Sequence, residues 1–566
     1  GLEHRFRSGR LDGLASTSAL ELGINVGGVD ATVLLGYPGQ RQSFWQRIGR
    51  AGRDGSRSLA VMVADRRTLD QYVCSTPEYL LENDVEDAVV DTENDAVFAR
   101  HVLCAADELP LDASDVTTEA GGGADDTTGG AAAGAPAFAD RDRLARAIEM
   151  WRRAGRVEGD LAAGASYSGP PRPQTEVNLY ATTDVEYVVR TPGDVPEAAD
   201  PDLEPLARSR VYRDYHEGAV RLHAGRQYRV VDVSHAPPQP TVTVRPVDVD
   251  YYTRTRRDVT VLDATSEASR EVEGFTLHRG EGRVLVHHAT YDRVAVDDNE
   301  TLAQGLDTGL PPLEMETQLC WVEVPDDVGA HLFSAYAGED PAGHAEGSGG
   351  GVDATGAGTG ATDAADAADP GGPAAHLGYA GALHAAEHAM IKTAPLELLV
   401  DKNDLGGLST LVLDGHLATE AAGGEATAGV EGPTSGDDAP QTVAAARAAV
   451  DERRPAGGDA SADGTGAPTS GWFVYDGVEG GLGFSRAMYE QFEAVAARAR
   501  ASLAECDCGR PDGCPACTMD ANCGNDNAPL HRPAAVAVFD HLLGNATVGP
   551  SSGEAGPAAR PTVFFS

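Results

Sequence analysis

The apolar run Ala31-Thr-Val-Leu-Leu35 is closed by Gly36-Tyr-Pro-Gly39 and followed by a segment ending Gln46-Arg-Ile-Gly-Arg-Ala-Gly-Arg53. This stretch constrains the fold more than any other. Together with the preceding Ala15 to Val26, it reads strand, loop, strand, turn, helix, which predicts an α/β domain with a parallel sheet. The octapeptide also carries chemistry. Arginine forks pair bidentately with phosphate oxygens, and arginines supplied from a second domain can stabilise charge on a transferring phosphoryl group. Arg50 and Arg53 are the candidates. Three residues apart, they would share a face on a helix, and Gly49 and Gly52 permit close approach of backbone or ligand. The plainer reading is a solvated basic helix end.

Three segments in order remove most of that ambiguity: Arg5-Phe-Arg-Ser-Gly9, then Thr17 to Gly23, then Gln46 to Arg53. This succession resembles the second RecA-like domain of superfamily 2 helicases. The resemblance implies that Gln46, Arg50 and Arg53 face ATP, that Gly23 and Asn25 couple nucleotide to DNA, and that Thr17 touches the nucleic-acid backbone. Asn25 departs from the family, where many members carry Asp. Neither a Gly-x-x-x-x-Gly-Lys-Ser/Thr loop nor an acidic magnesium motif occurs, and the two lysines, Lys392 and Lys402, lie in no glycine-rich loop. Gly1 already falls inside the resemblance. The chain is therefore expected to be the C-terminal part of a longer enzyme. ATP and Mg2+ would be held mainly by a first RecA-like domain, upstream or in trans, and the chain alone would not hydrolyse ATP.

At 566 residues the chain is long enough for several domains. A formal charge of −44 would ordinarily argue against a polyanionic partner, because DNA affinity depends on neutralising phosphates. Yet acid is spread through nearly every segment and 42 of the 44 basic residues are arginine, a balance that resembles proteins of salt-loving archaea. Local contrast is then the informative quantity. Gly1 to Arg57 holds eight Arg against five acidic residues and is net positive. No run of about eighteen apolar residues suggests a membrane span, so a cytoplasmic protein is expected.

Three stretches rich in Ala, Gly, Asp and Thr, at 112–137, 338–375 and 420–470, read as disordered insertions within domains. Around them the chain is expected to be multidomain, α/β and α+β. Residues 1–68 form a partial RecA-like domain, and 69–175 a winged-helix-like segment in which Leu144, Ile148 and Trp151 share a helix face. Short alternating runs over 176–325 predict a small β-barrel. Residues 326–566 form a zinc-binding C-terminal domain. In the β region, Tyr212, Arg213, Tyr215, Arg221, Tyr228 and Arg229, then Tyr251, Tyr252, Arg254, Arg256 and Arg257, interleave arginine with aromatics. That pattern suits single-stranded nucleic acid, arginine for phosphate and aromatic for base stacking. It equally suits one exposed face of a sheet.

Five of the eight cysteines crowd between Cys506 and Cys523. Cys506, Cys508, Cys514, Cys517 and Cys523 offer five thiolates where a structural zinc ion takes four, and the spacing of Cys514 and Cys517 forms a chelating knuckle. With His384-Ala-Ala-Glu-His388, Asp404-Leu-Gly-Gly407 and Tyr475 to Phe484, the cluster resembles the zinc-binding C-terminal domain of the mitomycin repair factor A family of DNA helicases, related to the Hrq branch of RecQ-like enzymes. The resemblance implies a 3′-to-5′ ATP-dependent DNA helicase acting in repair on single-stranded or forked DNA. Two other readings stand beside it. One is a non-catalytic DNA-binding or partner protein from a split helicase gene. The other takes His384-x-x-Glu-His388 as a catalytic zinc motif with Glu387 as base, which would make a metallopeptidase without an identifiable third ligand.

Overall fold

The computed structural model describes residues 2–8, 10–18, 21, 29–52, 57–89, 91–92, 94–116, 138–177, 185–193, 205–223, 225–236, 239–298, 300–336, 377–401, 404–411, 413–417, 469–520, 523–524 and 527–546. The fold is mixed α/β and multidomain, with parallel and antiparallel sheets. Two compact units are present: residues 1–89, 185–477 and 483–566 make one, residues 90–184 and 478–482 the other. Among the described residues no helix is long and apolar enough to cross a membrane. The three Ala/Gly/Asp/Thr-rich stretches lie almost wholly outside the described residues. The first is shorter than its composition suggests, since Asp112 caps a turn over Ala113–Asp115.

At the N-terminal end of the larger unit, strands Ala31–Leu35 and Leu59–Val63 pair in parallel, joined through the helix Arg41–Ile48. Two buried carboxylates fasten this βαβ piece. Asp70, 1% exposed, accepts from the Tyr37 and Asp65 amides at 3.1 and 2.7 Å, which holds the Gly36 turn. Glu86 accepts from the first-turn amides of Arg41 and Gln42 at 2.5 and 3.0 Å, satisfying donors that a helix start leaves unpaired. Residues 68–81 pack here too: Val73, Tyr79 and Leu80 share a core with Leu34, Phe44 and Leu396. The compact unit therefore continues to residue 89, beyond the boundary at 68 expected from sequence.

Among the described residues the β-rich region forms two sheets. One sheet has five strands between Glu186 and Val247. The other is built on a long hairpin, Tyr251–Val272 with Phe275–Ala295, and extends through Leu313–Val324, Ser470–Asp476 and Leu405–Thr410. Strands from both sides of residue 325 thus belong to one sheet, because Trp321, Phe473 and Tyr475 bury into a single core with Val261 and Val284.

Behind that sheet lies the helix Leu377–Thr393, buried at every position from Gly381 to Thr393. Its small residues allow close packing against the helices Phe492–Ala504 and Arg532–Leu542. At Gly381 a Cβ would meet the His531 backbone at 3.0 Å. Four buried polar side chains, His384, Glu387, His388 and Lys392, interrupt the helix's otherwise apolar surface.

The smaller unit packs the helices Asp95–Glu108 and Arg141–Arg153 on a hairpin, Val157–Glu158 with Ser166–Tyr167, and Leu111 bridges to Ala165. Leu144 and Ile148 are buried with Val102 and Leu103, and Trp151 packs against them, so the expected apolar face is the observed one.

Candidate functional site

The helix carrying Gln46 ends at Ile48, with Gly49 as its cap, so Arg50 lies in the turn beyond it and not on the helical face. The tightness of that turn has a local cause: a Cβ at Gly49 would come within 2.9 Å of the Trp45 carbonyl. The Arg50 guanidinium donates to the backbone carbonyl of Glu21, and Arg47 pairs with the Glu21 carboxylate at 2.9 Å. Glu21 therefore ties the segment after Thr17 to the arginine motif, a role the sequence reading had not assigned. Gln46 is half-buried and Thr17 exposed. Gly23, Asn25 and Arg53 lie outside the described residues.

Four of the five clustered cysteines converge. The ligand atoms of Cys506, Cys508, Cys514 and Cys517 all lie within 4.8 Å of one another. The Sγ separations are 3.7 Å for Cys506 to Cys514, 3.7 Å for Cys514 to Cys517 and 4.0 Å for Cys508 to Cys517. A zinc ion held tetrahedrally at about 2.3 Å from each sulfur sets neighbouring sulfurs about 3.8 Å apart. The donor set fits that ion. Amides of Cys514 and Ala516 donate to Cys517 Sγ and Cys514 Sγ at 3.2 and 3.3 Å, as thiolate ligands require. Burial pushes the Cys517 thiol up to about 12, so four thiolates this close need a cation to ionise together.

The knuckle is fastened from behind. Lys392 Nζ donates to the carbonyls of Pro515 and Met519 at 2.7 and 2.9 Å, and Arg532 donates to Cys506 O at 2.7 Å. Gly513, at φ +83°, faces the Thr518 hydroxyl so closely that a Cβ would stand 1.9 Å from it.

Cys523, the fifth cysteine, belongs elsewhere. Its Sγ lies 3.4 Å from His384 Nε2, and the ligand atoms of Cys523, His384 and His388 all fall within 4.8 Å of one another. Four-residue spacing on the helix Leu377–Thr393 brings the two imidazoles together, with ring centroids 4.3 Å apart. Glu387 is buried beside them, and burial raises its carboxyl to about 8. The glycine at 407 leaves room for that carboxyl, since a Cβ there would stand 2.2 Å from Glu387 Oε1. The His-x-x-Glu-His spacing was visible in sequence; its third partner, over a hundred residues away, was not.

These residues border a cavity of about 500 Å³ also lined by Arg213, Arg221, Arg254 and Arg257. Strand alternation alone would send Arg254 and Arg257 to opposite faces. A register shift between Arg256 and Asp258 breaks the alternation and lets both line the cavity. Arg256 is engaged otherwise: its Nη2 lies 3.1 Å from the carboxylate of Asp292, which is 2% exposed and also accepts from the Gly305 amide at 3.0 Å. Asp214 pairs with both Arg213 and Arg221, each at 3.1 Å. Of the aromatics expected to stack on bases, Tyr212, Tyr215 and Tyr228 are core residues, only 7, 6 and 5% exposed, whereas Tyr252 is 37% exposed and lines the cavity. Tyr212 and Arg213 lie on the short helix Arg208–Asp214, which Tyr215 caps, and only Tyr228 and Arg229 alternate along a strand.

Comparison with known proteins agrees with this architecture at both ends of the chain. The helicase conserved C-terminal domain matches residues 2–55, and the MrfA Zn-binding domain matches residues 439–518. The chain is similar to the uncharacterized ATP-dependent helicase YprA of Bacillus subtilis, with 28% identity over 58% of this chain and 40% of that protein. It is also similar to the ATP-dependent helicase HRQ1 of Saccharomyces cerevisiae, with 24% identity over 96% of this chain and 41% of that protein. A crystal structure of the DUF1998 helicase MrfA bound to DNA is similar at 21% identity and a TM-score of 0.49, over 96% of this chain and 55% of that one. The chain's matched segments are thus similar to parts of MrfA/Hrq-like superfamily 2 helicases. The chain spans about two fifths of the length of the curated relatives it matches.

Proposed function

We propose that the intact protein is an ATP-dependent DNA helicase acting in DNA repair, and that this chain supplies its nucleotide-sensing arginines and its DNA-holding domains. One observation carries the reading: a helicase C-terminal match over 2–55 and an MrfA-type zinc-domain match over 439–518 occur in one chain, with Arg50 in the turn of a parallel βαβ unit. Gln46, Arg50 and Arg53 face ATP and Mg2+ held mainly by a first RecA-like domain, while Thr17, Gly23 and Asn25 couple closure to DNA. Exposed apolar positions on the two parallel strands, Val33, Leu35, Leu59 and Val63 among them, support the idea that this segment packs against further RecA-like structure. Cys506, Cys508, Cys514 and Cys517 hold a structural zinc ion.

Within this reading, two helices and a hairpin make 90–184 winged-helix-like, and the five-stranded sheet is the remnant of the expected barrel. Arg254 and Arg257 contact the phosphates of single-stranded or forked DNA, and Arg256 positions the strand through Asp292. The enzyme is cytoplasmic, acts at high salt and moves 3′ to 5′. Unwinding of 3′-tailed, 5′-tailed and blunt duplexes by the chain joined to a phosphate-loop domain tests this directly. ATP-dependent unwinding of the 3′-tailed duplex alone is expected. DNA binding without any nucleotide dependence would instead favour a non-catalytic partner protein.

A further inference from the structure

We infer that His384, His388 and Cys523 form a second zinc site, separate from the four-cysteine centre, with an open coordination position facing the arginine-lined cavity. Tautomer control is the first support. His384 Nδ1 lies 2.8 Å from the Pro529 carbonyl and His388 Nδ1 2.9 Å from the Thr518 carbonyl. A carbonyl can only accept, so each Nδ1 carries the proton and each Nε2 presents a lone pair. Backbone carbonyls on the outer ring nitrogen are the usual means of aiming a metal-ligating histidine.

Geometry is the second support. Zinc bonds of about 2.0 Å to nitrogen and about 2.3 Å to sulfur, at a tetrahedral angle, set N and S about 3.5 Å apart. The observed His384 Nε2 to Cys523 Sγ separation is 3.4 Å. Both histidines are only 5% exposed, on a helix buried along its length, so the pair is held rigidly for a ligand role. The loop is held too: Gly524 lies against the long hairpin, where a Cβ would stand 1.7 Å from the Arg257 carbonyl.

Two imidazoles and one thiolate leave a tetrahedral ion one ligand short, the pattern of zinc sites that exchange a water or substrate oxygen. The cavity supplies room for that fourth ligand, and Arg254 and Arg257, set on its wall among Asp214, Asp258 and Asp520, offer cationic partners to an anionic oxygen such as a phosphate. The two centres are joined through one short segment. His388 holds Thr518, next to the ligand Cys517, and Lys392 holds Pro515 and Met519, so one helix braces the first site and supplies two ligands to the second.

Zinc content of the purified 566-residue chain, with Cys523→Ala and His384→Gln beside wild type, tests the site. Two equivalents in wild type, falling to one in both variants with unchanged circular dichroism, is the expected result. A single equivalent in all three would overturn the inference and leave a thiol–imidazole hydrogen bond in its place. Cobalt titration of the wild-type chain keeps the test decisive should a variant misfold: two spectrally distinct sites support the inference and one contradicts it. Inorganic phosphate is expected to shift only the cobalt bands of the thiolate-poor site. No shift would mean the fourth position is closed.

Discussion

The two ends of the larger unit solve the burial problem in opposite ways. In the parallel strands near the N-terminus, Leu35 is 85% exposed and Val33 60%, whereas the helix Leu377–Thr393 is buried along its length and backed by two further helices and a sheet. The first is a surface suited to receiving another domain. The second is a closed core to which a cysteine knuckle is fastened by Lys392 and Arg532. Residues that sense a nucleotide held by a partner sit best on the open end, and residues that lock a lobe sit best on the closed one.

The largest break in that contrast comes from the metal knuckle. Cys517→Ser should release one zinc equivalent and unfold the segment around 506–519, because metal-linked folding of such sites is worth roughly 10 kcal/mol. Mass spectrometry of the native protein and protease sensitivity would read it. Removal of Arg256 comes next. Arg256→Ser leaves the buried Asp292 carboxylate with the more distant Arg254, at 3.9 Å, and should cost about 2 to 4 kcal/mol in chemical denaturation. Normal stability in that variant would mean the ion pair is surface decoration.

Acid should loosen the middle of the molecule. His216 is fully buried, and burial depresses its pKa to about 4 from an ordinary value of 6.5. The folded state thus holds it neutral while the unfolded chain takes up a proton. Its contribution is fully present above pH 6.5 and is lost as pH falls towards 4, at about 1.4 kcal/mol per unit. Urea midpoints at pH 7 and pH 5 should differ, and His216→Phe should reduce the difference. A smaller cost, about 1 to 3 kcal/mol, is expected for Gly513→Ala, which meets the Thr518 hydroxyl in a left-handed turn.

Sequence legibility followed range. The βαβ order was readable because its signals are local: an apolar strand, a glycine-rich turn and a helix in succession. The knuckle was readable because four cysteines lie within twelve residues. The exit of Cys523 from that cluster was hidden, since only tertiary packing brings it to His384. The arginine and tyrosine alternation was ambiguous in the same way. Neighbouring arginine and tyrosine do not say which side is buried, and on both the helix Arg208–Asp214 and the strand Arg226–Ser234 the tyrosine took the core. The bulge beside Arg257 left no compositional trace.

Arg50 sets the open end most sharply against the closed one. It lies in the turn beyond the helix, far in sequence from both cysteine sites, so Arg50→Ala should leave zinc content unchanged. Its effect should fall on catalysis. DNA-stimulated ATP hydrolysis, measured with this chain joined to a phosphate-loop RecA-like domain, is expected to drop by roughly a thousandfold or more in Arg50→Ala, as loss of an arginine finger does. Hydrolysis at the wild-type rate would contradict the assignment of this segment as the nucleotide-sensing half of a DNA motor.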